Sequence, residues 1–199
     1  MTAGLYGHSN PILREALVST YDTVGVSLGA TSTHEVALAK LICDRFCSLE
    51  RVRFCNSGTE ANIYALSIAR HYTNKRKVLV FRGGYHGGVL SFGHGGAANT
   101  VDQGDYILCD YNDTERAEEI IKGTPDLAAV LVEAMQGAGG CVVGDSKFLK
   151  TVKSAAKSVR ILSPPDSFQN SPSTFHPSLS IEKKLTRSSP ASSLFSTKS

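Results

Sequence analysis

Three short stretches of this 199-residue chain combine hydroxyl, glycine, aromatic and acidic residues in patterns that suit chemistry. The first is Asn56-Ser57-Gly58-Thr59-Glu60-Ala61, where a short apolar segment passes into a helical pattern. A helix N-terminus offers unpaired N–H groups and the positive end of the helix dipole, so it attracts phosphate. Gly58 lets a ligand come close to the backbone, and Ser57 and Thr59 add hydroxyls. An ordinary capped helix, with Ser57 or Thr59 as cap and Glu60 in the first turn, is the favoured reading of this stretch taken alone.

The second stretch is Gly83-Gly84-Tyr85-His86-Gly87-Gly88, after the apolar run Val78–Phe81. Four glycines around two rings suit a backbone that makes room for a flat or charged ligand, with a ring free to stack on a heterocycle. A flexible turn whose rings merely cover the core is the plainer reading. A dinucleotide loop fits poorly, because the spacing is not G-x-G-x-x-G and no helical pattern follows Gly88. The third stretch is Glu133, closing the apolar run Ala128–Val132 and followed by Gln136-Gly137-Ala138-Gly139-Gly140. A carboxylate ending a buried strand is costly unless it is bonded, which marks a candidate site. A carboxylate that simply reaches solvent at the sheet edge would look the same. Metal binding is disfavoured, since His86 and His94 have no carboxylate or cysteine at ligand spacing. Ser57 lacks the glycine spacing of a nucleophile elbow.

These stretches need elements to hold them. Helices are expected at Pro11–Thr23 behind a capping Asn10, with Ile12, Ala16, Leu17 and Tyr21 on one face, and at Thr33–Cys47. The second starts at a capping Thr33 and turns Val36, Leu38, Ala39, Ile42, Cys43 and Phe46 inward. Further helices are expected at Thr59–Tyr72, Asp113–Lys122 and Lys147–Lys157. Strands are expected at Arg51–Cys55, Val78–Phe81, Asp105–Leu108 and Ala128–Val132. Strands separated by helices make an α/β fold with a mostly parallel sheet covered on both faces, whose ligands sit beyond the carboxyl ends of the strands.

Composition bounds the rest. Hydrophobic residues are 41% and charged residues 20%, with net charge +3, which is globular and without the basic stripe of a nucleic-acid face. Five cysteines without any Cys-x-x-Cys read as reduced core thiols, and no stretch approaches about 18 apolar residues. A cytoplasmic protein, with no membrane or nucleic-acid partner, is expected. All 18 glycines lie at or before Gly144, whereas five of the seven prolines fall from Pro164 to Pro190. From Ser158 to Ser199 there are 13 serines in 42 residues. We therefore expect an ordered domain over 1–158 and a Ser/Pro-rich disordered tail over 159–199.

The run from Arg53 to Ala61, then Ala69-Arg70-His71-Tyr72-Thr73, then Phe81 to Gly87, resembles class-III aminotransferases, and among them glutamate-1-semialdehyde aminomutases. Gly7-His8 with Pro11, and the stretch Glu35–Leu41, also look like that family. The resemblance covers about residues 5–158. It implies the fold-type-I architecture of pyridoxal-phosphate (PLP) enzymes, a homodimer, and amino-group transfer on small amino donors and acceptors. Ser57, Gly58 and Thr59 match the phosphate-binding turn. Tyr85 matches the ring-stacking aromatic with His86 beside it, and Glu133 matches a glutamate near substrate and cofactor. The chain also departs from the pattern. Glu133-Ala134 stands for Glu-Pro, and Ile161-Leu162-Ser163-Pro164-Pro165-Asp166 stands where the family has a strand ending in Asp-Glu. That aspartate pairs with the cofactor's ring nitrogen, and Asp166 behind two prolines is a poor substitute. No lysine has the Ser/Thr-x-x-Lys setting of the residue that binds the cofactor covalently. We expect a truncated form, inactive by itself; a catalytically dead cofactor-binding or partner module is the alternative.

Overall fold

A computed structural model describes residues 4–26, 29–46, 49–93, 103–159 and 161. The expected tail, apart from Val159 and Ile161, lies outside the described residues, as do His94, Cys47 and Asp166. The chain divides into two compact units, Met1–Leu41 and Ile42–Ser199.

Helix α1 (Pro11–Thr23) begins as expected: Asn10 accepts from the N–H groups of Ile12 and Leu13, and Pro11 occupies the first turn. Helix α2 spans Thr33–Arg45. Its cap is Ser32 rather than Thr33, because Ser32 and Glu35 bond reciprocally at 3.0 and 3.3 Å. Neither helix has a wholly buried residue. Ile12, Leu17, Tyr21, Val36 and Leu38 are exposed, and Ala39, Ile42, Cys43 and Phe46 are only half-buried, so the expected inward face does not form. The physical reason is size: about forty residues cannot bury an apolar face within themselves.

The second unit is built on a three-stranded parallel sheet. Strands β1 (Lys77–Phe81), β2 (Tyr106–Cys109) and β3 (Leu127–Val130) lie in the order β2-β1-β3. Central β1 pairs Val78 with Tyr106 on one side and with Ala129 on the other. Helices α3 (Gly58–Thr73), α4 (Thr114–Gly123, capped by Asp113) and α5 (Ser146–Ser158) cover it. The pleat divides the core by parity. Leu79 and Phe81 face Ile120 and Ile121 of α4 and Phe148, Val152 and Ala156 of α5. Val78 and Val80 face the other way, with Leu66 and Ala69 of α3, Leu90 and Phe92. Phe148 has no exposed surface and meets Phe81 and Tyr111 edge-on at 5.1 and 5.2 Å. Ile161 is buried in the same cluster, just past α5.

Two expectations are corrected. Residues 51–55 form no strand and lead into α3 without regular structure. The chain there alternates exposed and half-buried residues up to Phe54, yet no described strand lies beside it to bond its backbone. Beyond β3, Met135–Gln136 (β4) and Val142–Val143 (β5) make a small antiparallel hairpin that we did not expect. Its strands are two residues long, too short for a periodic signal. Of the cysteines, Cys43 and Cys55 are half-buried, Cys109 is buried and Cys141 is exposed, so only one of these four free thiols belongs to the core.

Candidate functional site

Helix α3 opens with a capping box. Ser57 Oγ accepts from the Glu60 N–H at 3.2 Å, and the Glu60 carboxylate accepts from the N–H groups of Asn56 and Ser57 at 2.7 and 3.2 Å. The ordinary-cap reading of these residues therefore holds. It does not exhaust them, because a cap leaves the N–H groups of the first helical residues, Gly58 and Thr59, without intrahelical partners. The Ser57 hydroxyl accepts in the cap and keeps its own proton to donate.

The glycine-rich loop after β1 folds into a compact hairpin. Gly83 N–H donates to the Phe92 carbonyl at 2.6 Å, Phe92 N–H to Gly84 at 2.8 Å, and His86 N–H to Leu90 at 2.7 Å. A bridge joins Tyr85 to Ser91. The two rings part company: Tyr85 is 46% exposed and His86 only 2%. The His86 ring lies near Phe92, centroids 6.3 Å apart, and its Nδ1 has no partner. Burial drives its pKa down to about 4.

The helix mouth and this loop touch directly. Gly88 N–H donates to Thr59 Oγ1 at 3.1 Å, and Asn62 Nδ2 donates to the His86 carbonyl at 2.7 Å. Gly87, at φ +132°, leaves no room for a side chain: a Cβ there would stand 2.5 Å from Thr59 Oγ1 and 2.8 Å from Thr59 Cα. On the other side of the loop, Tyr85 N–H donates to Glu133 Oε2 at 3.1 Å. Burial is the main reason the Glu133 carboxyl titrates above its usual range, and the N–H groups of Tyr85 and Gly137 oppose it. Glu133 lies three residues past β3, half-buried, not at the strand's last position.

Three supports escaped sequence reasoning. Tyr111 hydroxyl donates to the Glu133 carbonyl at 2.7 Å, and its own pKa is pushed up by burial and by Glu133 and Asp145. Gln136, buried, donates from Nε2 to the Arg82 carbonyl at 2.9 Å. Asn62 shares the buried face of α3 with Leu66 and Ala69, at positions i, i+4 and i+7. That polar residue on an apolar stripe was a readable signal. All six candidates thus meet around one loop: Ser57, Gly58 and Thr59 at the helix mouth, Tyr85 and His86 in the loop, Glu133 behind it. Ser57 and Gly58 are brought there through Thr59. Among the described residues no group of three His, Cys, Asp or Glu side chains is placed to hold a metal ion, and no helix is long and apolar enough to cross a membrane.

A parallel sheet with α3 opening on a glycine-rich aromatic loop is the framework of fold-type-I aminotransferases, and the comparisons agree. The family model for class-III aminotransferases matches residues 2–163, and the chain belongs to that family. It is 50% identical over 153 residues to an uncharacterised aminotransferase of Schizosaccharomyces pombe, covering 77% of this chain and 35% of that one. It is 46% identical over 162 residues to the β-phenylalanine transaminase of Variovorax paradoxus, covering 81% of this chain and 37% of the enzyme. A crystal structure of the β-phenylalanine aminotransferase from that organism superimposes with TM-score 0.76, over 81% of this chain and 37% of its own, at 46% identity. Glutamate-1-semialdehyde aminomutases are also relatives; that of Clostridium novyi is 37% identical over 169 residues, covering 77% of this chain and 38% of the enzyme. The chain therefore spans only about two-fifths or less of the length of the curated relatives it matches.

Proposed function

We propose that this chain binds pyridoxal 5'-phosphate between the mouth of α3 and the Tyr85 loop, as part of an amino-group-transferring protein. One observation supports the reading above others: Thr59 Oγ1 accepts from Gly88 N–H, so an anion cradle and an aromatic shelf share a hydrogen bond. The residues suit the group. The N–H groups of Gly58 and Thr59 and the Ser57 hydroxyl would take the phosphate. The half-exposed Tyr85 ring would lie against the pyridine ring, and Glu133 would hold the loop under it through Tyr85 N–H. His86 belongs to this cradle through its backbone, its ring being turned into the core. When bound, the cofactor supplies an electron sink for amino-group transfer. The chain's own residues would bind and orient it, with the Glu133 carboxylate fixing the loop through Tyr85 N–H.

The substrate class is a small amino acid or amino aldehyde, by kinship with both transaminases and aminomutases. A homodimer, as the resemblance implies, and a cytoplasmic location, as the cysteine usage suggests, belong to the same proposal. The 199-residue polypeptide alone is expected to be inactive, because it offers no lysine in the covalent cofactor setting. The test is the visible circular dichroism of purified protein titrated with PLP, before and after borohydride. We expect an induced band that Ser57→Ala and Tyr85→Ala each weaken, with no lysine labelled by reduction. Absence of any induced band refutes the cofactor reading. A reduced label on one lysine, with transaminase activity, refutes the inactivity and the dead-module alternative together.

A further inference from the structure

Helix α3 contains one residue its packing does not call for. Its buried positions are Ala61, Asn62, Leu66 and Ala69, and an amide at 3% exposure on such a stripe is costly unless bonded. Asn62 Nδ2 donates to the carbonyl of His86 at 2.7 Å, across 24 residues of sequence. That carbonyl closes the peptide bond to Gly87, the residue packed on Thr59. Tyr85 is therefore the one exposed ring between two fixed points. Its own N–H is held by Glu133, and the carbonyl of the next residue by Asn62.

We infer that Asn62 is a positioning residue, latching the Tyr85 loop to the helix whose first turn binds the phosphate. The inference rests on the proposed cofactor site and adds to it the element that sets the distance between anion cradle and ring shelf. A small amide suits this task. It reaches the carbonyl from the second helical turn, carries no charge into the core, and donates in a fixed direction. Leucine at the same place would preserve the packing and leave the His86 carbonyl without its donor.

The experiment compares the 199-residue chain with its Asn62→Leu variant by calorimetry, with PLP and with inorganic phosphate as separate probes. Amide exchange of residues 84–88 is read on both proteins without ligand. A ring held at the wrong distance should weaken PLP by about tenfold, the effect of one ordinary hydrogen bond, while phosphate affinity stays within about twofold of wild type. Exchange at 84–88 should quicken, with α4 and α5 unchanged. Unchanged PLP affinity, or an equal loss for PLP and phosphate, overturns the positioning role. Equal exchange at 84–88 overturns the latch. A wild-type chain that binds no PLP defeats the cofactor reading, and faster exchange in the variant then still supports the latch alone. Should Asn62→Leu not fold, Asn62→Ser, too short to reach the carbonyl, gives the same comparison.

Discussion

At the scale of single residues, the most informative group is His86. A histidine buried neutral, with its pKa lowered from 6.5 to about 4, carries no titration penalty near pH 7 and a growing one in acid. Between those two values the unfolded chain binds a proton that the native ring refuses, so stability falls as pH falls. The loss approaches about 3 kcal/mol at pH 4, taking about 1.4 kcal/mol per unit. Glu133 titrates too, which is why the comparison has to be with His86→Leu, where the histidine contribution vanishes and the carboxylate's remains. Urea unfolding of both proteins at pH 7.0 and 4.5 should show wild type losing more stability than the variant. Parallel losses would mean that the ring is hydrated or charged in the native state. Gly87 makes a second residue-scale case. With φ at +132° and no space beside Thr59, Gly87→Ala should cost about 2 kcal/mol or more and open the loop. A variant as stable as wild type, with unchanged exchange at 84–88, would refute the close packing.

At the scale of elements, the sequence announced the long ones and concealed the short ones. Apolar runs of four or five residues flanked by helices sufficed for β1 and β3, because buried parallel strands need no alternation, and the same kind of run marked the less buried β2. Caps marked the helices: Asn10, Ser57 and Asp113 each stand one residue before the first turn. The segment 51–55 misled because β-favouring composition says nothing of whether a neighbouring strand exists. The hairpin β4–β5 was invisible for the opposite reason, being held by Gln136 and by glycines rather than by its own pattern. At the candidate site, side chains that carry chemistry were legible, and Asn62 could have been read from its place on the apolar stripe of α3; Tyr111 could not, since its partner is a backbone carbonyl distant in sequence. The double duty of Ser57 can be separated experimentally. Ser57→Ala removes the cap and should cost about 1 kcal/mol in urea unfolding. Ser57→Asp retains the cap but sets a negative charge at the helix mouth. It should therefore be near wild type in stability while binding PLP more weakly than Ser57→Ala does. An aspartate variant that binds as well as wild type would argue that no anion sits there.

At the scale of the whole molecule, protection from exchange should follow burial, and burial is very uneven. In the second unit, Val78, Leu79 and Val80 have no exposed surface and their strand is bonded on both sides. In the first unit, neither α1 nor the part of α2 up to Leu41 has a wholly buried residue. An isolated helix of this length is marginal in water, since nucleation is costly and most helical stability in proteins comes from packing. Local opening of α1 should therefore need far less free energy than opening of β1. The expectation is concrete: amides of α1 exchange within about tenfold of unstructured rates, while those of β1 exchange only through unfolding of the sheet. Adding PLP should slow exchange at the start of α3 and at 84–88, and raise the unfolding midpoint, because a ligand bound only by the native state stabilises it by mass action. It should leave α1 as it was, since no residue of α1 is assigned to the cradle. Protection of α1 equal to that of β1, in the chain alone, would show that burial within each unit does not govern its stability.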